Sequence, residues 1–207
     1  MKRTLLILLT VFPATAPTVR AAVVYSGVQN IAIPQDFSGV YLNVVSGSTA
    51  FSLPGTWNTA PWLNPFFGGV GIANSPLLMP VITGSDQIVN LPVLTTIGSG
   101  SNFALGESGS ATHTGFAANQ FQVGTPGFIG YRWQIPGGGT DYYGWLRINV
   151  NTGGAGTIID WAYDNAAGTS IDAGIGPAIP VPEPAQASQL MLLACSSAGL
   201  LARRRRR

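Results

Sequence analysis

Residues 128–164 read FIGYRWQIPGGGTDYYGWLRINVNTGGAGTIIDWAYD, and the alternation within them decides the fold class. Successive side chains of an extended chain point to opposite faces, so Ile129, Tyr131, Trp133 and Ile135 share one side while Arg132 and Gln134 take the other. The pattern repeats with Tyr142, Gly144, Leu146, Ile148 and Val150 against Tyr143, Trp145, Arg147 and Asn149. A third run sets Ile159, Trp161 and Tyr163 against Ile158, Asp160, Ala162 and Asp164. Pro136–Asp141 and Asn151–Gly156 are short and rich in glycine, which suits hairpin loops, so three adjacent antiparallel strands are expected. Closing those loops pairs Ile135 with Tyr142 and Val150 with Thr157. Arg132 then faces Trp145 in a cation–π contact and Arg147 faces Asp160 in an ion pair, both on the outer face of the sheet.

Outward from this stretch, short apolar or alternating runs recur between Gly, Pro, Asn and Ser clusters: Val23–Tyr25, Gln29–Ile33, Val40–Val45, Phe66–Ile72, Val81–Thr83, Gln87–Leu91 and Phe116–Val123. Their spacing predicts an all-β domain over residues 22–171, an antiparallel β-sandwich or jelly roll. The proline-rich stretch 53–80 reads as a long loop with an edge strand, and residues 172–189 as a Gly/Pro/Ala linker.

Charge is distributed unevenly. Of ten basic residues, Lys2, Arg3 and Arg20 lie near the start and Arg203 to Arg207 close the sequence, leaving only Arg132 and Arg147 in the domain. Against these two stand seven carboxylates between residues 22 and 180, a balance of −5 that repels phosphate backbones and argues against nucleic-acid binding. Charged residues are 9% of the chain, well under the usual quarter or so, so solubility rests on hydroxyls and amides. The single cysteine, Cys195, allows no intrachain disulfide.

Residues 1–21 have the parts of a secretory signal peptide, here expected as a helix: Lys2-Arg3, the apolar run Leu5 to Phe12, and small residues at Ala21 and Ala22 that suit signal peptidase. Residues 181–207 read Val-Pro-Glu-Pro, an Ala/Gln/Ser spacer, an apolar segment from Leu190 to Ala202, and five arginines. A helix over that segment spans about 20 Å against a hydrocarbon core of about 30 Å, a shortfall that thinning and arginine snorkelling offset. Arginines resist translocation, so both ends favour the cytoplasmic side and the domain between them is exported.

This tail resembles the PEP-CTERM sorting signal of exported Gram-negative bacterial proteins. The resemblance covers residues 181–207 and has its three parts in order: Pro182, Glu183 and Pro184 as the motif; Leu190, Met191, Leu192, Leu193, Leu200 and Leu201 in the short hydrophobic helix; and Arg203, Arg204, Arg205, Arg206 and Arg207 as the stop-transfer cluster. Cys195 has no place in the motif. The resemblance implies processing by an exosortase and residence at the cell surface or in exopolysaccharide. The stretches 143–147 and 156–163 also look like a recurring ending of such exported domains, one that brings no known chemistry.

Candidate chemistry within the domain is sparse. His113 lies in a Ser/Thr/Gly stretch where nothing suggests a nucleophile, a base and an orienting acid converging, and it reads as a solvated loop residue. Zinc needs several His or Cys ligands, and the domain supplies one. Asp160 and Asp164, four apart on a strand, are separated by about 13 Å, beyond the reach of a glycosidase pair. Asp164, Asn165 and Asp172 match no EF-hand spacing. The glycine-rich segments 97–101 and 136–139 lack the lysine and helix that phosphate binding needs. No cofactor and no catalytic residue is expected. Trp57, Trp62, Tyr143 and Trp145 are the candidates for stacking on sugar rings, in competition with a role in the core. The sequence thus predicts a non-enzymatic surface or matrix protein, with a carbohydrate-binding module as the alternative.

Overall fold

A computed structural model describes residues 22–84, 87–104, 113–115, 117 and 119–176. The expected leader, the Pro-Glu-Pro motif, the hydrophobic helix and the arginine cluster lie outside the described residues. Those described form twelve short strands and one turn of 3₁₀ helix at Phe67–Gly69. The strands are β1 (Val23–Tyr25), β2 (Ile31–Ile33), β3 (Tyr41–Asn43), β4 (Thr49–Ala50), β5 (Trp62–Phe66), β6 (Gly71–Asn74), β7 (Leu78–Pro80), β8 (Thr96–Ile97), β9 (Pro126–Trp133), β10 (Tyr142–Asn149), β11 (Gly156–Asp164) and β12 (Ile171–Asp172). Every strand pairing is antiparallel, so the all-β expectation holds. Among the described residues no helix is long and apolar enough to cross a membrane.

A six-stranded sheet has the order β1-β11-β10-β9-β7, with β2 also pairing along β11. A four-stranded sheet has the order β4-β3-β5-β6, and β8 pairs with β12 alone. One cluster of buried side chains draws Ile129, Tyr131, Leu146, Ile148, Ile158 and Trp161 from the large sheet, and Leu42, Leu63 and Ile72 from the smaller one. A second cluster occupies the other face of the large sheet, where Tyr143, Trp145 and Ala162 pack with Val81, Leu91, Ile97, Ile171 and Ala173. The face expected to be outer is therefore covered, by Val81, Val89, Leu91 and Phe103 and by the β8–β12 pair. This is why the central strands β9 and β10 are apolar on both sides, as sheets buried on two faces require.

The three central strands are adjacent and antiparallel as expected, but one of the two registers differs. Trp133, not Ile135, pairs with Tyr142, so Arg132 lies opposite Tyr143 and Trp145 opposite Gly130. Asp141 fixes this register: its carboxylate accepts from Arg132 Nη1 at 2.8 Å and from Gln134 Nε2 at 2.8 Å, while Trp133 stacks on Tyr142 with ring centroids 4.3 Å apart. The cation–π partner of Arg132 is accordingly Phe103, 5.4 Å from the guanidinium carbon, and not Trp145. Between β10 and β11 the pairing Arg147↔Asp160 is as expected, although Val150↔Thr157 is replaced by Asn149↔Thr157. A bulge between Arg147 and Ile148 absorbs the difference and swings Ile158 onto the core face with Trp161 and Tyr163.

Two boundaries also move. The stretch 53–80 is not a loop with one edge strand but the β5–β6 pair followed by β7. Asp172, assigned to the linker, pairs with Thr96, and Ala173 is fully buried, so the packed domain continues past residue 171.

Tyr131 sits at the centre of the large sheet. Its hydroxyl donates to Ala162 O at 3.2 Å, and its ring lies where a side chain on Gly144 would be, 2.5 Å from an added Cβ. Burial, with a smaller contribution from Tyr163, raises its pKa well above the ordinary 10.0. The folded state thus holds this proton where the unfolded chain releases it. The resulting stability is fully present below pH 10 and is lost as pH rises above it. Tyr25, Tyr143 and Tyr163 shift in the same direction. Urea unfolding from about pH 8 to 11 is expected to show falling stability, and Tyr131→Phe is expected to flatten that fall while costing about 1 kcal/mol at neutral pH for the lost hydrogen bond. An unchanged alkaline slope in the variant would remove Tyr131 from this account.

Candidate functional site

The four-stranded sheet turns Leu42, Leu63 and Ile72 toward the core, which leaves Tyr41, Asn64, Phe66 and Ala73 on its other face. Asn64 lies directly opposite Ala73. The segment following β4 folds over this face and is tied down by polar contacts: Trp62 Nε1 donates to Thr56 Oγ1 at 3.1 Å, and Ser75 Oγ donates to Ala60 O at 2.9 Å. These contacts set Trp57 edge-on against Tyr41, with centroids 5.5 Å apart and planes at 86°.

The opposite flank is aromatic as well. Phe37 and Phe66 have centroids 5.6 Å apart, and Phe67 packs on both. Two backbone features hold this flank. Gly39 has φ +60 and lies so close to β5 that a Cβ would sit 2.1 Å from Pro65 O, a site only glycine can occupy. Phe67 has φ +49, a left-handed conformation costly for a bulky residue and anchored by its N–H donating to Asp36 O at 2.9 Å. Between the flanks lies a cleft of about 760 Å³, within the usual size of a ligand site. Its wall includes Ser38, Ser52 and Asn58, and none of its lining residues is charged. Asn64, 5% exposed, forms part of that lining, and its side-chain Oδ1 is buried with no hydrogen-bond partner among the described residues.

Of the four aromatic residues expected to stack on sugars, only Trp57 is placed in this cleft. The others require correction. Trp62, Tyr143 and Trp145 are all buried, with their rings against protein. Trp145 and Tyr143 look exposed in sequence because they share a face with Arg147 and Asn149, but that face carries the second core cluster. Asn64, Phe37 and Phe66 carry no motif that marks them in advance, and they come together only through the pairing of β5 with its neighbours.

Comparison with family models, with curated proteins and with solved structures gives no match to this chain. The site is therefore read from its own geometry.

The remaining polar candidates have structural partners. His113 is not a solvated loop residue: it is fully buried, edge-on to Phe121 at 5.2 Å, with Nε2 2.7 Å from Gly69 O. A carbonyl only accepts, so Nε2 carries the proton. Asp164 Oδ1 accepts from Ala166 N, Asn165 Oδ1 from Ala22 N, and Asp172 Oδ1 from Thr96 Oγ1, three separate roles. Among the described residues no three His, Cys, Asp or Glu side chains gather as a metal site. Asp160 is 1% exposed and accepts from Arg147 Nε at 2.9 Å, from Arg147 Nη2 and from Tyr25 OH at 2.7 Å.

Proposed function

We propose that this chain is a non-enzymatic protein of the bacterial cell surface or extracellular matrix, exported behind its leader and sorted through residues 181–207. The observation that carries this reading is the order of three elements in that tail: Pro182-Glu183-Pro184, the apolar segment 190–202, and Arg203 to Arg207. Signal peptidase and an exosortase are its processing partners, and the membrane holds it through the tail until processing. The core cluster shared by the two larger sheets supports reading the exported domain as a β-sandwich.

Deleting residues 181–207 in the native host is expected to shift most of the protein from the membrane fraction to the soluble envelope or medium, followed by immunoblot after fractionation. Mass spectrometry of the recovered protein is expected to place its N-terminus near Ala22. Undiminished membrane association of the truncated chain would count against sorting by the tail.

A second reading, a carbohydrate-binding module, is favoured by one observation: an uncharged cleft with aromatic flanks around Trp57.

A further inference from the structure

We infer that the cleft over the four-stranded sheet binds a neutral glycan, with Trp57 and Tyr41 as the stacking platform and Asn64 Oδ1 as the acceptor for a sugar hydroxyl. The inference rests on the carbohydrate-binding reading and goes further by naming the site, its polar anchor and the charge class of the ligand.

Three features of the cleft select this occupant. The first is the unpaired amide oxygen. Asn64 is 5% exposed, and an unpaired acceptor at that depth is costly, so an occupant that donates a hydrogen bond there gains what an apolar one forfeits. A lipid chain or the aromatic rim of a second copy would leave the oxygen unpaired. The second is the absence of charge. Serines and asparagines are the polar lining, and an ionic ligand entering the cleft would lose water with no counter-charge to replace it. The third is the position. The cleft opens on a sheet face, over Tyr41 of β3, Asn64 and Phe66 of β5 and Ala73 of β6, so its floor offers side chains and not the strand-edge backbone that an added peptide strand would pair with. A pyranose has a flat apolar face for the indole and hydroxyls around its rim for the amide and serines. The exposed rim residues Phe51 and Leu53, 67% and 65% accessible, extend the wall beyond one sugar ring.

The test uses the full chain, purified in a detergent without a sugar headgroup, and titration calorimetry with cellohexaose, mannohexaose and chitohexaose, with hexagalacturonate as the anionic comparison. At least one neutral oligosaccharide is expected to bind, and hexagalacturonate to bind more weakly. Trp57→Ala is expected to weaken that binding by about tenfold or more, equivalent to about 1.4 kcal/mol. Asn64→Leu removes the unpaired oxygen, so it is expected to leave the melting temperature unchanged or raised while weakening binding roughly three- to tenfold. That opposition of signs is one that a purely structural role for Asn64 would not produce. If Trp57→Ala is poorly folded, Phe51→Ala on the exposed rim replaces it and is expected to weaken binding several-fold. Neutral binding that both Trp57→Ala (or its substitute) and Asn64→Leu leave intact overturns this site and leaves the carbohydrate reading standing. Tighter binding of hexagalacturonate overturns the neutral ligand class, and the absence of any neutral binding overturns both readings.

Discussion

Trp145→Ala is expected to destabilise the domain by about 3–5 kcal/mol, the usual cost of emptying a large buried aromatic site. The side chain is 1% exposed. Its cross-strand neighbours are Gly130 on β9 and Ala162 on β11, both small, and Val81, Leu91 and Ile97, which share its cluster, close over Gly130. Phe128 meets it edge-on at 5.5 Å and Tyr25 lies 6.1 Å away, so truncation removes contacts on several sides at once. The indole N–H also donates to Ile175 O at 3.0 Å, and this bond holds the segment after β12 against the sheet. Trp145→Phe, which keeps much of the packing but not that donor, is expected to cost about 1–2 kcal/mol. The check is the urea midpoint at constant m-value. A change within about 0.5 kcal/mol is what a solvent-facing platform residue would give, and it would return Trp145 to the ligand-binding candidates.

The error that placed Trp145 on an outer face shows what alternation does and does not carry. Period-two patterning fixes which residues share a face, and the face assignments of β9 and β10 follow it. It says nothing about what lies on the second face, and here Val81, Val89, Leu91 and Ile97, from short runs individually too weak to read as layers, supply that cover. Register is the other gap. A slip of two residues leaves every side chain on its own face, so the shift from Ile135↔Tyr142 to Trp133↔Tyr142 costs the apolar pattern nothing and is decided by Asp141 bridging Arg132 and Gln134. The Arg147–Asp160 pairing was legible for a partly fortuitous reason. The loop after β10 is one residue longer than expected, and the bulge at Ile148 restores the offset before Arg147 is reached. The cleft was scarcely legible at all: Trp57 could be named from its type, but Asn64 becomes a buried, unpaired acceptor only once β5 lies between β3 and β6.

The Arg147–Asp160 pair carries the second large expected effect, and its form is an inequality. Arg147→Ala is expected to cost about 3–5 kcal/mol, because it leaves the Asp160 carboxylate buried with only the Tyr25 hydroxyl as a side-chain partner. Asp160→Ala is expected to cost less, about 2–3 kcal/mol, because the side chain of Arg147 is 34% exposed and its guanidinium can turn to water once the carboxylate is gone. Removing both charges with side chains of similar volume, Arg147→Met with Asp160→Leu, is expected to recover most of the loss. The desolvation cost of Asp160 then disappears together with its attraction, and Tyr25, only partly buried, can direct its hydroxyl to solvent. Urea unfolding of the two single variants and the double variant measures all three quantities in one cycle. Equal losses in the singles that simply add in the double would mean that the carboxylate is hydrated despite its place beneath the arginine, and the pair would then be worth no more than a surface contact.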